Sequence, residues 1–227
     1  MTAVYLLLAG VAGVLGGSSL KLAINWLEID NYHIRGNNYI LEIMCGILFL
    51  WAFSKLPITE AILFSSVAAM LIAIGLVDLH TMQIPLLFIL GGILLALAGF
   101  LLGLIAWTAV LWGIFIGAVI PGMIMGITWL ITKRQGMGYG DIQLGIVLGA
   151  WLGPMRMALT LFGAAVLSLF IWIFVSIHKG FDRDRALPFA PFLAAAGIGI
   201  YIGSVYYPSC LLYTSPSPRD QRGSRMA

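Results

Sequence analysis

LLFILGGILLALAGFLLGLIAWTAVLWGIFIGAVIPGMIMGITWLIT, residues 86–132, contains no acidic, basic or histidine residue. So long an apolar run is not made for water. One membrane-spanning helix takes roughly 20 residues, with a range of about 17–25. The run is therefore two spans, with the break expected near Gly103 to Thr108. Working outward by the same rule gives eight segments: about 3–22, 39–54, 61–78, 86–104, 109–131, 140–153, 157–177 and 188–206. The second and sixth are short and must tilt, thin the bilayer or pack inside the bundle. No basic residue precedes the run Ala3 to Leu22, which reads as a first span and not as a cleaved signal peptide.

Composition agrees. The chain has 227 residues, 61% hydrophobic and 9% charged, with a mean hydropathy of +1.04. Soluble domains carry about 25% charged residues. The expected fold is an all-α, polytopic membrane helix bundle of about eight spans, with one membrane-embedded domain over 1–206. From about Ser209 the sequence turns to Ser, Pro and Arg, so 207–227 is expected to be a disordered or artefactual tail. A formal charge of +3, without a basic stripe interleaved with aromatics, excludes a nucleic-acid partner. Cys45 and Cys210 lie far apart and make neither a zinc spacing nor a disulfide framework.

Eight spans put loops one, three, five and seven on one side. Those loops hold Lys21, Arg35, Lys133, Arg134, Lys179, Arg183 and Arg185, seven in all, against Lys55 and Arg156 opposite. By the positive-inside rule the first set faces the cytoplasm. Asp78 ends the third span and Asp141 begins the sixth, so both fall at that cytoplasmic edge, at the inner membrane surface.

Ionisable groups within spans are costly and mark functional sites. Outside loops and tail they reduce to Glu42, Asp78 and Asp141, with Glu60 at a span edge. Asp78 follows the apolar Met70 to Val77 and precedes Leu79-His80-Thr81-Met82-Gln83-Ile84-Pro85, whose proline stops or restarts a helix. Asp141 closes Gly136-Met137-Gly138-Tyr139-Gly140-Asp141, where Gly136, Gly138 and Gly140 allow close backbone approach. Two carboxylates in one site cannot both ionise cheaply, so over some pH range the pair holds a single proton. That state supplies a base for water and an acid for a leaving amine. The plainer reading of Asp141 is a helix cap, since Asp is favoured at N-termini. Ser65 and Ser66 lie in a span with no histidine placed to serve them, and His33, His80 and His178 lack a zinc-protease spacing. No metal is therefore expected.

Gly138-Tyr139-Gly140-Asp141 fits the Gly-x-Gly-Asp signature of membrane aspartyl proteases. The stretch Gly136 to Gly153, with Leu148-Gly149-Ala150-Trp151-Leu152-Gly153, closely resembles the prepilin peptidase family. Val77-Asp78 followed by Ile84-Pro85 looks like that family's first catalytic segment, and Leu187-Pro188-Phe189-Ala190-Pro191-Phe192-Leu193-Ala194 like its last-span motif. Gly17-Ser18-Ser19-Leu20 and Tyr39-Ile40-Leu41-Glu42 are similar to parts of its N-terminal half. The resemblance covers roughly residues 10–206. It implies Asp78 and Asp141 as the catalytic pair, and cleavage of type IV prepilin-like precursors after a glycine on the cytoplasmic side. Proteolysis of this kind needs no cofactor.

Three residues are assigned lesser roles: Glu42 in structure or substrate orientation, Pro188 and Pro191 in kinking and packing. Departures from the family pattern are Leu86, where Asp often follows Ile-Pro, and Lys21, where Asn is common. Many members also carry a zinc-binding loop with two cysteine pairs between the first two spans, and bifunctional members methylate the new N-terminus with S-adenosylmethionine. Residues 23–38 are short and hold no cysteine, so S-adenosylmethionine enters only if a methyltransferase is present. Two other readings stay open: an archaeal-type preflagellin peptidase, and a transporter using the aspartates for a proton or cation. Expected partners are the precursor and the lipid bilayer.

Overall fold

A computed structural model describes residues 3–133, 137–181 and 187–208. Among these, eight α-helices run α1 (Ala3–Leu27), α2 (Ile40–Lys55), α3 (Ile58–Thr81), α4 (Leu86–Leu101), α5 (Trp107–Thr132), α6 (Tyr139–Leu152), α7 (Pro154–Lys179) and α8 (Ala190–Tyr206). The eight expected spans are all present as helices, and the charge-free run is broken between Leu101 and Trp107. Four of them, α1, α3, α5 and α7, are long and apolar enough to cross a membrane. The others have 16, 16, 14 and 17 residues. At 1.5 Å per residue that is about 21–26 Å, short of a hydrocarbon core of about 30 Å. The chain is a polytopic helix bundle. The tail beyond Pro208 lies outside the described residues, as does Cys210.

The third helix is the central pole. Buried residues line it from Ala61 to Asp78, whereas α5 and α7 bury little of themselves. Around it stand α2, α4 and α8, and α6 packs on α4, α5, α7 and α8. The outer surface is apolar; Leu7, Trp26, Phe162 and Ile177 are exposed. In water such a surface would drive association, and in lipid it is the ordinary exterior.

Burial of apolar area does not drive helix association in lipid, so close van der Waals fit must. Glycines supply it at two interfaces. On α1, a methyl added to Gly13 would stand 2.8 Å from the Cys45 carbonyl oxygen, and one on Gly17 would stand 2.7 Å from Glu42 Cα. Between α5 and α6 the fit is reciprocal. The Gly149 carbonyl occupies the place of a Gly113 side chain and the Gly113 carbonyl that of Gly149, and Gly117 and Gly145 repeat the arrangement one turn on.

The first helix runs past the expected end at residue 22 to Leu27, because Lys21 is buried within it and not solvated in a loop. Its Nζ donates to Glu42 Oε1 at 3.0 Å, to the Asn38 carbonyl at 2.7 Å and to the Gly36 carbonyl at 3.1 Å. All three ammonium protons are thereby used. A cation so satisfied costs the helix little, so the helix continues. Lys21→Met should leave Glu42 buried without its cation, at a cost of about 3–5 kcal/mol. Thermal unfolding in detergent should show the loss, and adding Glu42→Leu should recover most of it.

The ends of the bundle follow from helix alternation. Gln83 Nε2 donates to Asp30 Oδ2 at 2.7 Å, and the Tyr32 and His80 rings stack at 4.5 Å, joining the α1–α2 segment to the end of α3. At the other end Trp51 Nε1 donates to the Tyr206 hydroxyl at 3.0 Å, tying the end of α2 to that of α8.

Candidate active site

Three helix ends meet at the end of the bundle that carries the α1–α2 segment. The first is the C-terminal turn of α3. Asp78 does not terminate this helix, as the apolar pattern suggests; one further turn follows it to Thr81. Met82 then closes the helix in the left-handed region, with its N–H on the Asp78 carbonyl. Thr81 Oγ1 donates to the Val77 carbonyl and accepts the Gln83 N–H, which carries the chain to Pro85 and into α4. Asp78 is buried, with 5% of its surface exposed.

The second is the start of α6. Gly138 is its N-cap, and Asp141 stands in the first turn. Asp141 Oδ2 accepts the Gly138 N–H at 3.3 Å, while the Asp141 N–H donates to the Gly138 carbonyl at 3.2 Å. The plain capping role is therefore real and involves one carboxylate oxygen. Gly140 lies against Ile84: a methyl on it would stand 3.1 Å from Ile84 Cβ. The Ile84 side chain thus joins the two aspartate segments by resting on the Gly140 backbone, and a methyl there would oblige it to give way by a few tenths of an ångström. Gly138 caps the helix as an extended residue. Gly136 lies outside the described residues.

The third is the start of α8. Ala190, its first residue, donates its N–H to Asp78 Oδ2 at 3.1 Å. This is one of the free N–H groups at a helix start, where negative charge is favoured. Pro191 holds it in place. Its Cα lies 3.3 Å from where a Gly75 side chain would begin, one turn before Asp78, and proline at a helix start removes no needed donor. Pro191 packs there against Gly75, beside the Ala190 amide that meets Asp78. Pro188 is half-buried in the approach to α8.

Asp141 lies within the Coulombic field of Asp78. Two carboxyl groups brought close enough to share one proton can act as base and acid in turn. Glu42 is elsewhere, in the buried pair with Lys21, and among the described residues no hydrogen bond or ion pair joins it to either aspartate. His80 is turned back on its own helix, Nδ1 on the Leu76 carbonyl at 2.9 Å, and stacked on Tyr32. The reading of the sequence missed the Ala190 amide, Gly75 and Ile84. Proline just inside a helix start is the one signal that pointed toward the first.

The segment between α1 and α2 folds as a 3₁₀ turn at Ile29–Asn31 and a strap held by Asn25, which bonds both backbone groups of Ile34. It contains no cysteine and does not supply the thiolates of a structural zinc site.

Residues 65–173, which include both aspartates and the contact between their segments, match the model of the type IV leader peptidase family. Among similar curated proteins is a prepilin leader peptidase/N-methyltransferase of Aeromonas hydrophila, 30% identical over 141 residues, covering 56% of this chain and 44% of the relative. One of the same name from Pseudomonas putida is 28% identical over 177 residues, covering 75% and 60%. A third, from Dichelobacter nodosus, is 37% identical over 105 residues, covering 41% and 35%. The chain spans about half the length of the curated relatives it matches. No solved structure matches. The family model covers both aspartate segments and the similar curated proteins share one name, so over residues 65–173 the chain is similar to the type IV leader peptidase family.

Proposed function

We propose that the chain is a membrane aspartyl endopeptidase. Its substrate is a type IV prepilin-like precursor, cut after a glycine at the cytoplasmic face of the inner membrane. The observation that supports this most is the meeting of Asp78 and Asp141 at one end of the bundle, each held by a backbone amide. In the single-proton state one carboxylate takes a proton from water, and the water oxygen attacks the scissile carbonyl. The protonated partner then gives its proton to the departing amine. No covalent enzyme intermediate is formed.

The test is direct. Full-length protein in lipid nanodiscs is incubated with a prepilin-like precursor, and product masses are read. A single cut after glycine supports the reading. Uncut precursor with a correctly folded protein, or proton flux in vesicles lost on Asp78→Asn, would favour the transporter.

Cleavage is expected to need no S-adenosylmethionine, because water is the nucleophile. With no cysteine between α1 and α2, the mature product should keep a primary amine. Mass spectrometry of product made with S-adenosylmethionine present checks this; one added methyl group per chain would show transferase activity.

Orientation has its own check, in protein carrying Cys210→Ser. A cysteine replacing exposed Phe181 should be shielded from an impermeant thiol reagent in intact cells, and one replacing Lys55 should be labelled. The reverse pattern would put the aspartates outside.

A further inference from the structure

At the end of the bundle opposite the aspartates, a cavity of about 270 Å³ lies between the starts of α3 and α7, the α4–α5 turn and α8. Glu60, Arg156 and Tyr201 reach it, beside an apolar wall of Leu63, Ile105 and Met155. Arg156 lies over the Tyr201 ring at 5.3 Å, and that ring stacks on Trp151 at 4.9 Å. The ring holds the guanidinium from one side. Among the described residues neither Arg156 nor Glu60 makes a side-chain hydrogen bond or ion pair, with one another or with any other group. They do feel one another's charge.

We propose that this cavity binds the headgroup of a zwitterionic phospholipid, with the phosphate on Arg156 and the ammonium on Glu60. Two opposite charges that share a cavity without pairing fit a ligand that carries both. Arg presents a planar fork suited to phosphate. Glu60 would repel a bare phosphate and attract an adjoining amine. The volume is just under the range of about 300–1,000 Å³ usual for small-molecule sites, which suits a headgroup and excludes whole acyl chains. Those chains would leave past Met155 into the surrounding lipid. Trp and Tyr are at home at this depth, where one end of a ligand is wet and the other apolar. The same chemistry exists in a soluble phosphoethanolamine, so the two sources must be told apart.

Delipidated full-length protein would be titrated in detergent by native mass spectrometry. The probes are phosphatidylethanolamine, phosphatidylglycerol with the same acyl chains, and soluble phosphoethanolamine. Phosphatidylethanolamine should bind best and soluble phosphoethanolamine should not displace it. Arg156→Gln should weaken phosphatidylethanolamine binding roughly tenfold or more, the loss expected for charge-assisted hydrogen bonds. Glu60→Gln should instead abolish the preference over phosphatidylglycerol. Arg156→Lys, which keeps the charge and loses the fork, should fall between; it also serves if Arg156→Gln does not fold. Equal binding of the two lipids by the unaltered protein, or unchanged binding in Arg156→Gln, would overturn the proposal. Tight binding of phosphoethanolamine without lipid would assign the cavity to a soluble ligand and overturn the lipid assignment.

Discussion

Replacing either Asp78 or Asp141 by asparagine should remove nearly all cleavage of a prepilin-like precursor while leaving the bundle folded. The change is close to isosteric. An amide oxygen at position 78 can still accept the Ala190 N–H, and one at 141 can still accept the Gly138 N–H. What disappears is the ability to carry a proton to and from the reacting atoms. General acid–base catalysis is worth about 10²–10⁴-fold, and each carboxyl serves in both directions, so the loss should reach at least that range. Asp→Glu should fail as well, because a misplacement of about 1 Å costs on the order of 100-fold. Activity should trace a bell against pH whose limbs belong to the pair and not to either residue. Glu42→Gln, outside the pair, should leave measurable cleavage. The measurement is the initial rate on one precursor, with thermal unfolding as the control for folding. An Asp78→Asn protein cutting at near-normal rate would end the aspartyl-protease reading.

The second large effect should come from alanine at Gly113, Gly117, Gly145 or Gly149. At each of these positions a backbone carbonyl of the facing helix fills the space of the new methyl. No side chain can swing aside to make room, so α5 and α6 must separate. Overpacking of a core typically costs about 1–3 kcal/mol, and a methyl against backbone belongs at or above the upper end. Because α6 carries Asp141, separation should also reduce cleavage out of proportion to the loss of stability. Gly122 and Gly126, on the same α5, face nothing within 4 Å, and alanine there should be harmless or slightly stabilising. If all six variants melted alike, the contact between the two helices would not be the cause.

Charge is what made much of this legible beforehand. In a chain with so few ionisable residues, Asp78 and Asp141 stand out, and counting apolar runs puts them at one edge before any fold is known. Breaking the charge-free run places the ends of α4 and α5 to within three residues. The contacts that turn two aspartates into one site depend on how helices slide against one another, and a single sequence carries little of that. Ile84 against Gly140 and Pro191 against Gly75 are matters of register between elements far apart in the chain. Lys21 shows the opposite error. Counted as a loop charge, it lies instead inside α1, because carbonyls of residues 36 and 38 and the Glu42 carboxylate reach it there. Hydropathy alone has no means of seeing those three acceptors.

The amide on Asp78 also sets a clock. Ala190 is made 112 residues after Asp78. At about 5–20 residues per second, the ribosome takes on the order of ten seconds to cover that distance. During that interval α3 through α6 can already occupy the bilayer with both aspartates present. The first of them has not yet met its donor, and α8 has not yet packed on Gly75. A nascent chain paused between α6 and α8 thus carries an unfinished site, and arrival of α8 is the step that completes it.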